Sequence, residues 1–100
     1  GLRVDRARVR ALLRGSLVEA TALSPYLGYE VTAELVKEAL ATRRPLREVV
    51  LAHGLLDRRT LDRLLEPRRL TRPQPVDAAL RRRVQASAAW RAFRRRAGLQ

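Results

Sequence analysis

Side chains that could carry out catalysis are few in this chain of 100 residues, which contains one histidine and no cysteine. His53 stands directly before Gly54, where an imidazole can interact with the last carbonyl groups of a helix. No Asp/Ser or Asp/Cys pattern around it indicates a catalytic triad. Ser16 and Ser24 fit a helix position and a helix cap better than they fit nucleophiles. We therefore predict no catalytic residue, no cofactor and no metal site.

A second group of chemically distinctive residues lies near the C-terminus, where two arginine triplets flank two aromatic residues. Arginines with interleaved aromatic rings can hold phosphates and stack on bases. They can also form an amphipathic helix that packs its rings on a partner or on the rest of the chain, and a disordered tail is the third alternative. We favour packing over nucleic-acid binding. The candidate contact residues are Trp90, Phe93, Arg94, Arg95 and Arg96.

The formal net charge of +12 is unevenly distributed along the chain. Residues 1–15 carry five Arg and one Asp, residues 16–73 carry ten basic and eight acidic side chains, and residues 74–100 carry seven Arg and one Asp. Nucleic-acid binding through this charge is thus a minor alternative. No apolar run has the length of a membrane span or a signal-peptide core. We expect a soluble, cytoplasmic protein with no membrane partner.

The elements that must position these residues are helices, because apolar residues recur at helical spacing and no alternating strand pattern occurs. The sequence predicts an all-α fold: a small bundle of short helices that follows the end of a long helix. The predicted helices cover residues 3–23, 29–42, 46–53, 57–66 and 76–97, with a linker or ordered coil at 67–75. The predicted apolar stripe of the first helix contains Val4, Ala7, Ala11, Leu12, Val18 and Ala22.

Local signals predict where two of the shorter helices begin and end. Gly54 is predicted to end the third helix as its C-cap. Asp57 is predicted to cap the fourth helix, with Leu56 and Leu61 as a hydrophobic staple around it. On the second helix, Glu34 and Glu38 are predicted to face solvent.

The stretch TALSPYLGYE, residues 21–30, interrupts the helical pattern. Pro25 cannot continue a helix and disfavours the helical conformation at Ser24. Gly28 can adopt a positive φ that a larger residue resists. The chain is therefore predicted to turn at residues 24–28, with Tyr26 and Tyr29 bracing the corner by packing.

This corner and the elements after it resemble the C-terminal region of the fumarase/aspartase superfamily, over roughly residues 5–73. Members typically carry a segment T-A-L-N-P-x-I-G-Y-[DE], then a helix ending in E-A, then G-L-L and a later proline. The matching residues here are Thr21, Ala22, Leu23, Pro25, Gly28, Tyr29 and Glu30, then Glu38, Ala39, Gly54, Leu55, Leu56, Glu66, Pro67 and Leu70.

The resemblance implies a homotetrameric lyase that forms fumarate by reversible anti-elimination, with active sites built from several subunits. The serine loop that supplies the family's catalytic base has no counterpart here, so no catalytic residue is carried over. Glu30 after Tyr29 is more typical of aspartate ammonia-lyases than of class II fumarases, which remain an alternative. A further alternative is a stand-alone interaction domain derived from this fold.

The resemblance also implies a division of the chain. Residues 1–23 would be the end of a long bundle helix, 24–28 the corner, and 29–73 a small helical domain that contacts the catalytic domains. Residues 74–100 would be a basic extension, helical or disordered, outside the resemblance. The chain begins with Gly1 rather than Met, which suggests a piece of a longer protein.

Overall fold

The fold is built around one long helix, α1, against which several shorter helices pack. The computed structural model describes the backbone of residues 2–99 and the side chains of residues 5–99. Helix α1 spans Leu2–Leu27, about 39 Å at 1.5 Å per residue. The remaining helices are α2 (Tyr29–Thr42), α3 (Leu46–Ala52), α4 (Arg58–Leu64), α5 (Pro67–Leu70), α6 (Ala78–Ala86) and α7 (Ala88–Arg96). The described residues contain no strand, so the all-α prediction is confirmed.

The core lies beside the second half of α1, where α2, α3, α5 and α6 pack against it. Helix α1 buries Ser16, Leu23, Tyr26 and Leu27. The predicted stripe is wrong for much of its length: Val18 is 51% exposed, Ala7 and Ala11 are also exposed, and the Val4 side chain lies outside the described residues. The first half of α1 has few packing partners, so periodicity there does not identify a buried face. The other buried apolar residues are Val31, Leu35, Ala39, Leu46, Val49, Val50, Leu55, Leu56, Leu61, Leu64, Leu65, Leu80, Val84 and Phe93.

Helices α2, α3 and α7 end in the same way, with a residue at positive φ. In α3 this residue is Gly54, with φ of 69°, as the sequence predicts. The Gly54 amide donates to Leu51 O over 3.0 Å, and the next amide bonds the carbonyl of Val50, which completes a Schellman motif. Gly98 ends α7 similarly. In α2 the position is taken by Arg43, with φ of 55°, although most residues other than glycine resist this conformation.

Asp57 caps α4 as predicted, because its carboxylate accepts a 2.7 Å hydrogen bond from the Thr60 amide. Leu56 and Leu61 are both buried beside the cap, as expected for a hydrophobic staple. Asp77 and Ser87 cap α6 and α7 in the same way, through bonds from the amides three residues on. All three helices therefore begin at a residue that the local sequence specifies.

Pro25 differs from its prediction, because it lies inside the last turn of α1 and does not end the helix. Proline has no N–H and forfeits one helical hydrogen bond. The turn survives since the Gly28 amide donates to Ser24 O over 2.9 Å. Tyr26 and Leu27 are also held by burial, at 4% and 0% exposure.

The segment after residue 66 also differs in detail from its prediction. Residues 67–70 form α5 instead of coil, with Pro67 at its first turn, where its missing amide hydrogen has no cost. The predicted helix over 76–97 is two helices that meet at Ser87. The Ser87 hydroxyl donates to Val84 O over 2.7 Å and accepts from the Trp90 amide. This residue therefore ends α6 and begins α7.

Candidate functional site at the Gly28 corner

The corner between α1 and α2 depends on one residue, Gly28. Its φ of 86° and ψ of 151° fall in a region of backbone space that is essentially restricted to glycine. No atom lies within 4 Å of the position that a Cβ would take there, so the restriction comes from the backbone and not from crowding. The Gly28 carbonyl accepts bonds from the amide and hydroxyl of Thr32, at 3.0 Å and 2.7 Å. The first turn of α2 is thus tied to the corner.

On the inner side of the corner, three hydrogen bonds join α1 to the C-terminal segment. The Tyr26 hydroxyl accepts from the Asp77 amide at 3.1 Å. The Gln85 side-chain amide donates to Tyr26 O at 3.1 Å, and the Trp90 indole N–H donates to Leu27 O at 2.8 Å. Carbonyl groups in the last turn of a helix have no partner within that helix. The segment supplies the partners that the end of α1 lacks.

The outer side of the corner is an open apolar groove of about 620 Å³ between α1 and α2. Leu17 and Tyr29 border it and are 51% and 80% exposed. The prediction that Tyr29 braces the corner by packing is therefore wrong, whereas Tyr26 does pack inside it. Thr21 also lines the groove, with its hydroxyl donating to Leu17 O at 3.0 Å.

A polar contact connects α2, α3 and α7 away from the corner. His53 Nε2 lies 2.8 and 3.0 Å from the two carboxylate oxygens of Glu38. The imidazole meets the Phe93 ring edge to face, with centroids 4.8 Å apart. Arg44 is 3.5 Å from the same carboxylate. The Glu38 side chain is 34% exposed, so it lies at the surface in part as predicted, but the sequence did not indicate its partner 15 positions away. Glu34 pairs with Lys37 at 3.2 Å.

Among the described residues, the carboxyl groups of Glu19 and Asp57 have shifted pKa values. Burial raises the pKa of Glu19, and the guanidinium of Arg47, 3.7 Å away, opposes this shift only in part. Hydrogen bonds from Thr60, through its side chain and its amide, lower the pKa of Asp57. Neither group lies at the corner. Both shifts are therefore relevant to stability rather than to a reacting group.

The remaining predicted residues lie around these features. Glu30 is exposed in the first turn of α2, while Leu55 and Leu56 are buried in the core. The Arg94 guanidinium carbon is 5.1 Å from the centroid of the Trp90 ring, and the two arginines after it are exposed. Phe93 and Trp90 face the protein, so neither is free to stack on a nucleic-acid base.

Sequence reasoning missed two residues of the inner side, Asp77 and Gln85. An aspartate just before an apolar helical pattern is a known N-cap signal, so Asp77 could have been found. Gln85 offered no signal, because its acceptor lies 59 positions earlier.

No three His, Cys, Asp or Glu side chains in the described part of the chain are grouped so that they could hold a metal ion. Within the same residues, no helix combines the length and apolar character needed to cross a membrane.

Comparison with known proteins identifies the family. A family model described as the fumarase C C-terminus matches residues 20–72. Fumarate hydratase class II 2 of Bradyrhizobium diazoefficiens is 37% identical over 73 residues, which are 73% of this chain and 15% of that protein. The aspartate ammonia-lyase of Pseudomonas canavaninivorans is 38% identical over 76 residues, 76% of this chain and 16% of that protein. The fumarate hydratase class II of Brucella suis is 39% identical over 74 residues, 74% of this chain and 16% of that protein.

No solved structure matches the chain. The chain spans about one sixth of the length of these curated relatives. The matched residues begin on α1, pass through the Gly28 corner and end just after α5. This chain therefore belongs to the family of fumarase C C-terminal domains, within the fumarase/aspartase family.

Proposed function

We propose that this chain is the C-terminal structural and closure domain of an aspartate ammonia-lyase, the enzyme that converts L-aspartate to fumarate and ammonia. The observation that carries the proposal is the family match over residues 20–72, which includes the whole Gly28 corner. The chain supplies no catalytic residue of its own. The full enzyme is expected to be a cytoplasmic homotetramer in which this domain contacts the catalytic domains and shifts as the active site opens and closes.

The proposal of aspartate rather than malate as the substrate rests on the identity of residue 30, which is Glu30. It follows Tyr29 in the GYE form of the corner motif, which resembles the aspartate ammonia-lyases. Class II fumarase is the alternative, since the three relatives named above include both enzymes and are 37% to 39% identical over 73 to 76 residues. Aspartate ammonia-lyase and fumarase both form fumarate, and they differ in whether ammonia or water leaves the substrate.

The apolar groove on the outer side of the corner is the proposed contact with the catalytic domains. Leu17 is 51% exposed and Tyr29 is 80% exposed, and exposed apolar residues grouped in this way are typical of interaction surfaces. Tyr29 lies inside the family-matched segment, and Leu17 lies three positions before it. A Tyr29→Glu substitution in the full enzyme is expected to lower turnover at least tenfold by placing a charge in this contact. Lys37→Glu, a charge change at a side chain that is 73% exposed, is the matched control.

The experiment that tests the proposal is capture of the protein from its own cells with an antibody against these 100 residues. The captured protein is expected to be several times heavier than 11.4 kDa and to release ammonia from L-aspartate. Hydration of fumarate to malate without ammonia release would replace aspartate ammonia-lyase with fumarase. A captured protein of 11.4 kDa would contradict the lyase assignment and favour a stand-alone interaction domain. Turnover of either substrate by the isolated chain would contradict its structural role.

A further inference from the structure

Helices α6 and α7, which lie beyond the family-matched segment, carry positive charge alone. They contain seven arginines and no carboxylate. Within residues 5–99, none of the seven forms an ion pair. Arg94 is partly buried and lies over the Trp90 ring. The six exposed arginines are Arg81, Arg82, Arg83, Arg91, Arg95 and Arg96.

The exposed arginines are carried by helices that are fixed to the rest of the fold. Leu80, Val84 and Phe93 are each 5% exposed, so each helix buries one face. The Trp90 indole N–H donates to Leu27 O at 2.8 Å. A basic segment that is already folded avoids the ordering cost that a disordered basic tail incurs on binding. The extension is therefore a preorganised basic surface.

The arginines lie away from the buried face of each helix. Arg91 and Arg95 are each two positions from Phe93, which places them on the opposite side of α7 at 3.6 residues per turn. They are one turn apart, where like charges repel each other. On α6, Arg82 holds the corresponding position opposite Leu80. Self-repulsion of this kind destabilises a compact fold, and a bound polyanion would offset it.

The composition of this surface favours nucleic-acid phosphates over an acidic protein or a lipid surface. Protein interfaces usually centre on apolar or aromatic anchors, but neither helix exposes a large apolar side chain. Helices that lie on membranes insert an apolar face, and the apolar faces of α6 and α7 are occupied by the core. Protein–DNA interfaces are more polar and much more positively charged than protein interfaces. Guanidinium groups also bind phosphate in a bidentate manner.

The aromatic residues of the extension favour a duplex over a single strand. Proteins that bind single strands stack the bases on exposed aromatic rings, whereas Phe93 packs against His53 and Trp90 is partly buried. We propose that the outer face of α6 and α7 binds the phosphate backbone of a nucleic-acid duplex without reading its sequence. This binding would be a second activity of the domain, separate from its role in a lyase.

Fluorescence anisotropy with a labelled DNA duplex of about 20 base pairs tests the proposal on the purified chain. If about four of the exposed arginines contact phosphates, the slope of log K against log salt is about −3.6. Affinity should then fall about 150-fold between about 50 and 200 mM salt. A second duplex of unrelated sequence should bind within about twofold of the first, since phosphate contacts carry no sequence information.

Three triple Arg→Gln variants, each removing three exposed positive charges, locate the binding surface. The α7 variant combines Arg91→Gln, Arg95→Gln and Arg96→Gln, and it leaves Arg94 in place. The α6 variant combines Arg81→Gln, Arg82→Gln and Arg83→Gln. The matched control on α4 combines Arg58→Gln, Arg59→Gln and Arg63→Gln, three arginines that are also exposed and also form no ion pair within residues 5–99.

Each extension variant is expected to bind the duplex at least about tenfold more weakly at low salt, with a salt slope that is shallower by about 2. The α4 control should stay within about threefold of the unmodified chain. Far-UV circular dichroism and Trp90 emission should be unchanged in all three, and if one extension variant loses its helices the other decides. An equal loss in the control would contradict the proposal, because net charge alone would then explain the binding.

Absence of saturable binding at low salt would also overturn the proposal, and so would tighter binding to a single strand of the same length. Displacement of the duplex by polyglutamate at equal charge would assign the surface to an acidic protein instead. Binding to phosphatidylserine vesicles without binding to the duplex would assign it to a membrane. None of these readouts requires lyase activity, so failure of this proposal and failure of the proposed function are distinguishable.

Discussion

The family-matched segment and the C-terminal extension are both helical, but they are stabilised in different ways. Both regions bound their helices with local caps, such as Gly54 and Asp57 in the matched segment and Asp77 and Ser87 in the extension. The difference lies in their other contacts: four basic residues of the matched segment, Lys37, Arg43, Arg44 and Arg47, meet carboxylates. Among the described residues, no arginine of the extension forms an ion pair, and its hydrogen bonds to α1 reach back more than 50 positions. The comparison indicates that the first region specifies its own fold, whereas the second depends on that fold as a surface.

The largest expected loss of stability comes from truncating a buried leucine, and a truncation in each region tests whether the two regions unfold separately. Leu35→Ala should lower the free energy of unfolding by about 3 kcal/mol, the usual cost of such a change at a fully buried leucine, since Leu35 is 0% exposed. Leu80→Ala should act mainly on the extension. In denaturant titrations of Leu80→Ala, the Trp90 fluorescence midpoint is expected below the circular dichroism midpoint. Coincident midpoints would mean that the two regions unfold as one unit.

Replacement of Gly28 tests whether the matched segment depends on its corner. Gly28→Val should cost more than about 1 kcal/mol of folding stability, because a β-branched residue resists a positive φ. Gly28→Asn should not rescue it, since the observed ψ of 151° lies outside the left-handed helical region that asparagine tolerates. Gly15→Ala, inside α1 with nothing within 4 Å of its added Cβ, is the control and should stabilise. A neutral Gly28→Val in thermal unfolding would remove this account.

Arg43 ends α2 at a positive φ although it is not a glycine, so its replacement should change stability through the backbone. Arg43→Gly is expected to raise the free energy of unfolding by about 0.5–1 kcal/mol by relieving the left-handed conformation. The substitution loses the 2.6 Å pair with Asp5, but both side chains are about half exposed, where such pairs contribute little. Equilibrium unfolding in urea measures the change. A loss of stability would mean that the pair outweighs the backbone strain.

The smallest expected effect concerns the charge of Glu19. The pKa of Glu19 is raised in the folded state above 4.5, the ordinary value for a glutamate. Its stabilising contribution is therefore complete below pH 4.5 and is lost as the pH rises through the folded-state pKa. Glu19→Gln should therefore raise Tm at pH 7 by about 1–2 °C and have less effect in acid. Asp57 has the opposite sign: its lowered pKa adds stability that is lost as pH falls. Equal Tm changes for Glu19→Gln at both pH values would contradict this assignment.

The sequence predicts the features of this fold that depend on neighbouring residues. The caps at Gly54 and Asp57 and the corner at Gly28 follow from side chains within a few positions of each other. Predictions fail where distant contacts decide the outcome. Pro25 does not stop α1 because Tyr26 and Leu27 of the same turn are buried. The hydrogen-bond partners of Gln85 and Glu38 lie outside the helices that carry these two residues. Tyr29 faces solvent since the residue after a sharp corner can point away from the core.

The backbone conformation of Gly28 has a consequence for how this domain can change over time. Every glycine codon begins with two guanines, and a single base change at either of them encodes a residue with a Cβ or a stop signal. A side chain with a Cβ resists the conformation found at this corner. Every single-base change that replaces Gly28 is therefore expected to be unfavourable, and accepted mutations in this codon should be limited to synonymous third-base changes.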